Sequence, residues 1–228
     1  MSRVKDENDL VVPGDLVYEG TDMYANSGTY EEDDKIYSKY AGVVRHNGQG
    51  IQVVPMSGRY IPSEGDVVIG EVSRVSYSRW TVDLNSPYDG TLGISEASEE
   101  YVDLDEEDLT DYFEVGDAIV VKVDSVSESM DVDLTMKDRR CKKLHGGRVI
   151  EIAPSKVPRV IGKKGTMVKQ INEKTGCNII VGQNGQVWIS GDNPNLAARA
   201  VKKVEREAHT RGLTEKIGEW LDEQAGDR

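Results

Sequence analysis

Residues 160–176 read VIGKKGTMVKQINEKTG, and the reading of the whole chain is organised around them. Gly162 and Gly165 bracket Lys163 and Lys164, and the flanking runs 155–161 and 166–175 have helical spacing. A corner closed by glycine at both ends lets two helices meet without side-chain bulk. It also turns backbone N–H groups and two cationic side chains outward, which is what a nucleic-acid backbone requires of a protein. Val168 and Ile171 are expected to point the second helix toward a core.

Charge supports that reading once it is divided along the chain. The sequence of 228 residues carries a net −13. Residues 1–144 hold 14 Lys+Arg against 31 Asp+Glu, a net of −17. Residues 145–211 hold 12 against 5, a net of +7, and the last 17 hold 2 against 5, a net of −3. The basic part is the part built around GKKG, and screening over about 8–10 Å keeps it locally attractive to phosphate.

Upstream the text is β-like. LVVPGDLVYEG, KYAGVV and IQVVPM form a small β domain, with Asn47–Gly48 marking a hairpin and 21–35 expected as a surface loop. A second β unit follows, with strands at 67–75, 79–84, 90–94, 118–126 and 130–136. Five strands with one long connection, 95–117, suggest a closed barrel of oligonucleotide-binding (OB) type. Asp103, Asp105, Glu106, Glu107 and Asp108 in that connection read as a solvated acidic turn rather than a metal site. At 136–144 the charge changes sign through KDRRCKK, a linker or the barrel's outgoing segment.

Beyond it, strand 148–152, the two helices, a hairpin of 178–181 with 186–190 and a long helix 194–209 give the order β-α-α-β-β-α. Asp192 or Asn193 caps that last helix, and Leu196, Ala200, Val201 and Val204 are its inner stripe. Trp188 is expected to cover a helix. The segment 213–223 has one apolar face, Leu213, Ile217, Trp220 and Leu221, which docks on this protein's own body or on a partner. The fold is therefore multidomain, all-β plus α+β: 1–60 N-terminal β domain, 61–144 barrel, 145–211 basic domain, 212–228 C-terminal helix and tail.

VIGKKG with the downstream Ile171, Thr175-Gly176 and Ile179 closely resembles the K-homology (KH) RNA-binding domain. EGDVVIGEVSRV, DGTLGISE and VGDAIVVKVDSV resemble the S1-like RNA-binding barrel. Barrel before KH, preceded by VVPGDLV, looks like the RNA-binding cap subunit of the archaeal exosome over about residues 10–210. That resemblance implies a non-catalytic subunit that captures single-stranded RNA and guides its 3′ end into a hexameric ring of phosphorolytic-ribonuclease-like subunits, three caps to a ring. It departs from many such barrels at Gly93, where a base-stacking His is common.

The RNA-contact candidates are Gly162, Lys163, Lys164, Gly165, Arg159, Lys156 and Lys169 in the KH domain, and Tyr77, Arg79, Trp80 and Lys122 on the barrel. Strand alternation groups Trp80 with Val82 and Leu84, so burial competes with stacking there. No Ser/His/Asp, HExxH or Walker pattern exists, and neither an enzyme nor a cofactor or metal is expected. Cys141 and Cys177 have no CxxC partner, which fits a cytoplasmic setting; no 18-residue apolar run points to a membrane, and no DNA partner is expected. Two other readings remain open on the residues alone: a free-standing single-stranded RNA-binding regulator, and an acidic protein-interaction scaffold without direct RNA contact.

Overall fold

A computed structural model describes residues 2–56, 58–98 and 109–226, and the chain divides into two units, Met1–Gly58 and Arg59–Arg228. The first is built from two four-stranded sheets. Its strands are β1 (Ser2–Arg3), β2 (Leu10–Val11), β3 (Leu16–Glu19), β4 (Tyr24–Ala25), β5 (Thr29–Glu32), β6 (Lys35–Ser38), β7 (Gly42–Asn47) and β8 (Gly50–Pro55). One sheet runs β1-β3-β6-β5 and the other β2-β7-β8-β4, over a core that includes Val17, Ile36, Val44 and Ile51. Asn47 pairs with Gly50, so the expected hairpin turns at Gly48–Gln49.

The segment 21–35 is not the expected surface loop. It contains β4 and β5, and β5 pairs with β6 around a two-residue turn, Asp33–Asp34, with Glu32 opposite Lys35. Both aspartates are left-handed, at φ 50° and 58°. Such hairpin turns demand this at both central positions, and Asp is among the few side chains that tolerate it. The clustered acids are thus turn chemistry.

In the second unit β9 (Val67–Ser76), β10 (Arg79–Asp83), β11 (Gly90–Gly93), β12 (Ala118–Val126) and β13 (Val132–Thr135) form the barrel, with α1 (Ile94–Ala97) after β11. β9 pairs with β10 and β12, β11 with β10, and β13 with β12. A parallel pairing of β11 with β13 closes the ring, so every strand has two neighbours. The acids 103–108 lie outside the described residues.

Trp80 does not offer a stacking face. It is 0% exposed, its Nε1 donates to the Phe113 carbonyl at 3.1 Å, and Phe113 and Tyr112 meet its ring edge-on. Alternation places it inward with Val82, and a tryptophan whose N–H is satisfied fills the barrel interior well.

A short strand β14 (Lys142–Lys143) leaves the barrel along β12, pairing Ile119 with Lys143 and Val120 with Lys142. Then come β15 (Arg148–Glu151), α2 (Val157–Ile161), α3 (Thr166–Thr175), β16 (Cys177–Val181), β17 (Gln186–Gly191), α4 (Pro194–Arg206) and α5 (Leu213–Gly226). The antiparallel sheet is ordered β15-β17-β16. Asn193 caps α4, accepting from the Leu196 N–H at 3.3 Å. On α3 the fully inward residues are Met167 and Ile171, with Val168 only half-buried. α5 docks on the same core through Leu213, Ile217 and Leu221, and Trp220 lies under Arg199 and Lys203 at 5.5 and 5.7 Å.

Barrel and KH-type fold are joined at the β16–β17 turn. Gln183 exchanges two hydrogen bonds with the Val67 main chain, donating to its carbonyl at 2.9 Å and accepting from its N–H at 2.7 Å. Asn184, 0% exposed, donates to the carbonyls of Ile69 at 2.6 Å and Leu84 at 2.8 Å. Gln183 Nε2 also donates to Asp66, whose other carboxylate oxygen accepts from the Tyr60 hydroxyl; burial raises the Asp66 carboxyl above the usual range. Trp188 covers the barrel rather than a helix: it packs with Ile69, Val120 and Leu144 and donates Nε1 to the Gly146 carbonyl at 2.8 Å. Asn184→Ala leaves two buried carbonyls without donors. It is expected to cost about 2–3 kcal/mol in urea denaturation and to split the barrel and KH transitions.

Candidate nucleic-acid interface

The GKKG corner is a strained, outward-facing loop. Gly162 has φ 76° and ψ 170°, a region essentially reserved for glycine, and an added Cβ would stand 2.8 Å from the Met167 N and Cβ. Lys164 (φ 56°) and Gly165 (φ 78°) are both left-handed. A Cβ on Gly165 would meet nothing within 4 Å, so that side of the loop is open for close approach by a ligand backbone. Lys163 and Lys164 are exposed, and no side chain caps the N-terminus of the ten-residue α3 that starts here. The Gly165 and Thr166 N–H groups donate within the loop, to the carbonyls of Gly162 and Lys163. What the corner presents to solvent is therefore two ammonium groups at the positive end of the helix dipole, an arrangement suited to phosphate.

The flanking candidates divide. Arg159 spends its guanidinium on the chain after α4, donating to the carbonyls of Ala208 at 2.6 Å and Thr210 at 2.8 Å. Lys169 is exposed and lies 3.8 Å from Glu173, one helical turn on. Lys156 is half-buried at the start of α2.

On the barrel the structure does not gather the four nominated residues. Tyr77, 74% exposed, and Arg79 sit together at the β9–β10 turn, where Arg79 pairs with Ser76. Lys122 pairs with Val67 at the other end of β9, nine residues away, or about 30 Å along an extended strand. With Trp80 enclosed, the nominated residues form two separate points on the barrel and no continuous platform.

Sequence reasoning missed the cations that stand beside the KH fold. A cleft of about 660 Å³ opens between the two folds. Val157, Pro158, Ile161 and Gly162 of the α2 side and Ile180 and Val181 of β16 form one wall; Val67, Val120, Arg139, Arg140 and Lys142 form the other. The signal in the sequence is the KDRRCKK run, where the charge changes sign without any local cue to which surface its residues join. Among the described residues no three His, Cys, Asp or Glu side chains gather as a metal site. Among the described residues no helix is long and apolar enough to cross a membrane.

Comparison with known proteins follows this division. The KH domain profile matches residues 147–206, the profile described as RRP4, S1 domain matches 59–125, and that of the exosome RNA binding protein RRP4 N-terminal domain matches 8–57. The chain is 46% identical to exosome complex component Rrp4 of Pyrococcus furiosus, across 97% of this chain and 86% of that protein. It is 42% identical to the protein of the same description from Methanothermus fervidus, across 94% and 96%. A solved structure described as an exosome complex RNA-binding protein superposes with a TM-score of 0.68 at 35% identity, covering 75% of this chain and 99% of that one.

The two loop glycines are expected to differ on substitution. Gly165→Ala meets only the left-handed penalty, about 1–2 kcal/mol. Gly162→Ala adds a backbone clash and should destabilise clearly more, as read from urea denaturation midpoints.

Proposed function

This chain belongs to the Rrp4 family of exosome components, and from that premise we propose that it is an RNA-binding cap subunit of an archaeal exosome. It captures single-stranded RNA and guides the 3′ end into a hexameric phosphorolytic ring that carries three such caps, without nuclease chemistry of its own. The observation that carries the reading is the GKKG loop, presented at a helix N-terminus that no side chain caps, in a basic domain whose hairpin amides hydrogen-bond to the main chain of a closed barrel. A cytoplasmic location fits this role.

The N-terminal unit supports attachment to the ring. Leu10, Val43 and Val54 form a row across β2, β7 and β8, in which Leu10 is 63% and Val54 41% exposed. Val12 and Met56 are also exposed at the neighbouring strand ends. An apolar row on an otherwise acidic domain suits a protein–protein contact.

Lys163→Glu with Lys164→Glu is expected to weaken single-stranded RNA binding tenfold or more in fluorescence anisotropy while leaving the melting temperature unchanged. Unaltered binding removes the loop from the mechanism. Leu10→Asp with Val54→Asp should abolish assembly with ring subunits in native mass spectrometry and spare RNA binding by the free chain. Failure of the unaltered chain to assemble with the ring, with RNA binding intact, favours a free-standing regulator.

A further inference from the structure

Five cations crowd the barrel's outgoing segment: Lys137, Arg139, Arg140, Lys142 and Lys143. Three are neutralised locally. Lys137 pairs with Glu96 at 2.8 Å, and Lys143 pairs with Asp117 at 2.5 Å. Arg140 forks onto Asp138 through Nε at 2.9 Å and a terminal nitrogen at 2.8 Å, which holds the Asp138 carboxyl well below the usual range. Arg139 and Lys142 are exposed and have no ion pair among the described residues.

Strand geometry explains where they point. Successive residues of β14 face opposite ways. Lys143 turns toward Asp117 and the Phe113 ring, 5.9 Å away, and Lys142 turns into the cleft. The Asp138–Arg140 fork, with the Arg140 N–H also donating to Asp138 at 3.0 Å, fixes the bend that sets Arg139 on the same wall.

We propose that Arg139 and Lys142 form a second phosphate clamp opposite the GKKG loop, so that one RNA strand is gripped by the barrel and the KH domain together. The inference rests on the RNA reading above and assigns the outgoing segment to the same site. The chemistry of the walls selects the occupant. Val157, Pro158, Ile161, Ile180 and Val181 give an apolar surface on which the faces of unstacked bases pack. Cations at the opposite wall and in the adjoining loop answer a chain of regularly spaced anions. The cleft's volume lies within the range of about 300–1,000 Å³ typical of small-ligand pockets, enough for a nucleotide unit. It is continuous with the loop at Gly162, so a strand leaving one clamp enters the other.

The test uses the full chain and a labelled single-stranded oligoribonucleotide, titrated by anisotropy over a series of salt concentrations. Arg139→Ala with Lys142→Ala is expected to weaken binding about tenfold and to flatten the log–log salt dependence by about 1.4, the loss of two phosphate contacts on a single strand. Arg139→Lys with Lys142→Arg should restore both. Photocrosslinking of RNA carrying 4-thiouridine to the unaltered chain should mark peptides containing 138–143 or 157–161. An unchanged slope and affinity in the alanine pair, with binding lost in Lys163→Ala/Lys164→Ala, overturns the second clamp and leaves the RNA reading standing. No RNA binding by the unaltered chain overturns both. Displacement of the RNA by a polyglutamate peptide at equal concentration makes an acidic peptide the occupant and also overturns the clamp.

Discussion

The Asn184 carboxamide is wholly buried where the KH hairpin meets the barrel, and its donors are satisfied by two carbonyls of the barrel's main chain. An apolar contact alone would tolerate sliding, because hydrophobic burial has no direction. Hydrogen bonds to Val67, Ile69 and Leu84 do have direction, and they fix the hairpin in one register against β9. The apolar cluster of Ile69, Val120, Leu144 and Trp188 supplies the burial beside them. Both walls of the cleft depend on this seat, since one wall belongs to the barrel and the other to the KH fold.

A net charge of −13 and a polyanionic ligand coexist because the charges are sorted at two scales. Along the chain, the basic surplus falls in 145–211. Within the outgoing segment, carboxylates from α1, from Asp117 just before β12 and from Asp138 itself cancel three of the five cations. The acids of the barrel therefore do more than repel RNA. They decide which basic side chains remain available to it.

The barrel and the KH order were legible because each rests on periodicity. Valine-rich runs at 67–75 and 118–126 mark strands, alternation marks the one at 130–136, and the glycine pair followed by Ile171 marks the helical corner. The hairpin at Gly48 and the stripe Leu196, Ala200, Val201 and Val204 followed from the same local rules. What was not legible involved partners distant in sequence. Trp80 has two fates open to it in the sequence, and the one it takes depends on Phe113, 33 residues on, whose carbonyl accepts its N–H. Trp188 reads locally as a helix cover because nothing near it in sequence announces the Val120 and Leu144 against it. The GQNG turn reads as a simple connection, while its two amides find their partners 100 or more residues upstream. Arg139 and Lys142 were hidden in the same way, since only the pairing of their neighbours singles them out.

The stretch between Thr135 and Leu144 has the composition of a connector, and connectors ordinarily tolerate insertions and deletions. This one ends in a strand pairing with β12, with Lys143 committed to one side and Lys142 to the other. Adding or removing a single residue would invert the tape: the Asp117 partner would face the wrong ammonium, and the cleft would receive the side chain meant for the opposite surface. Length in this segment is accordingly more constrained than identity, and lineages of this fold should vary its letters more readily than its count.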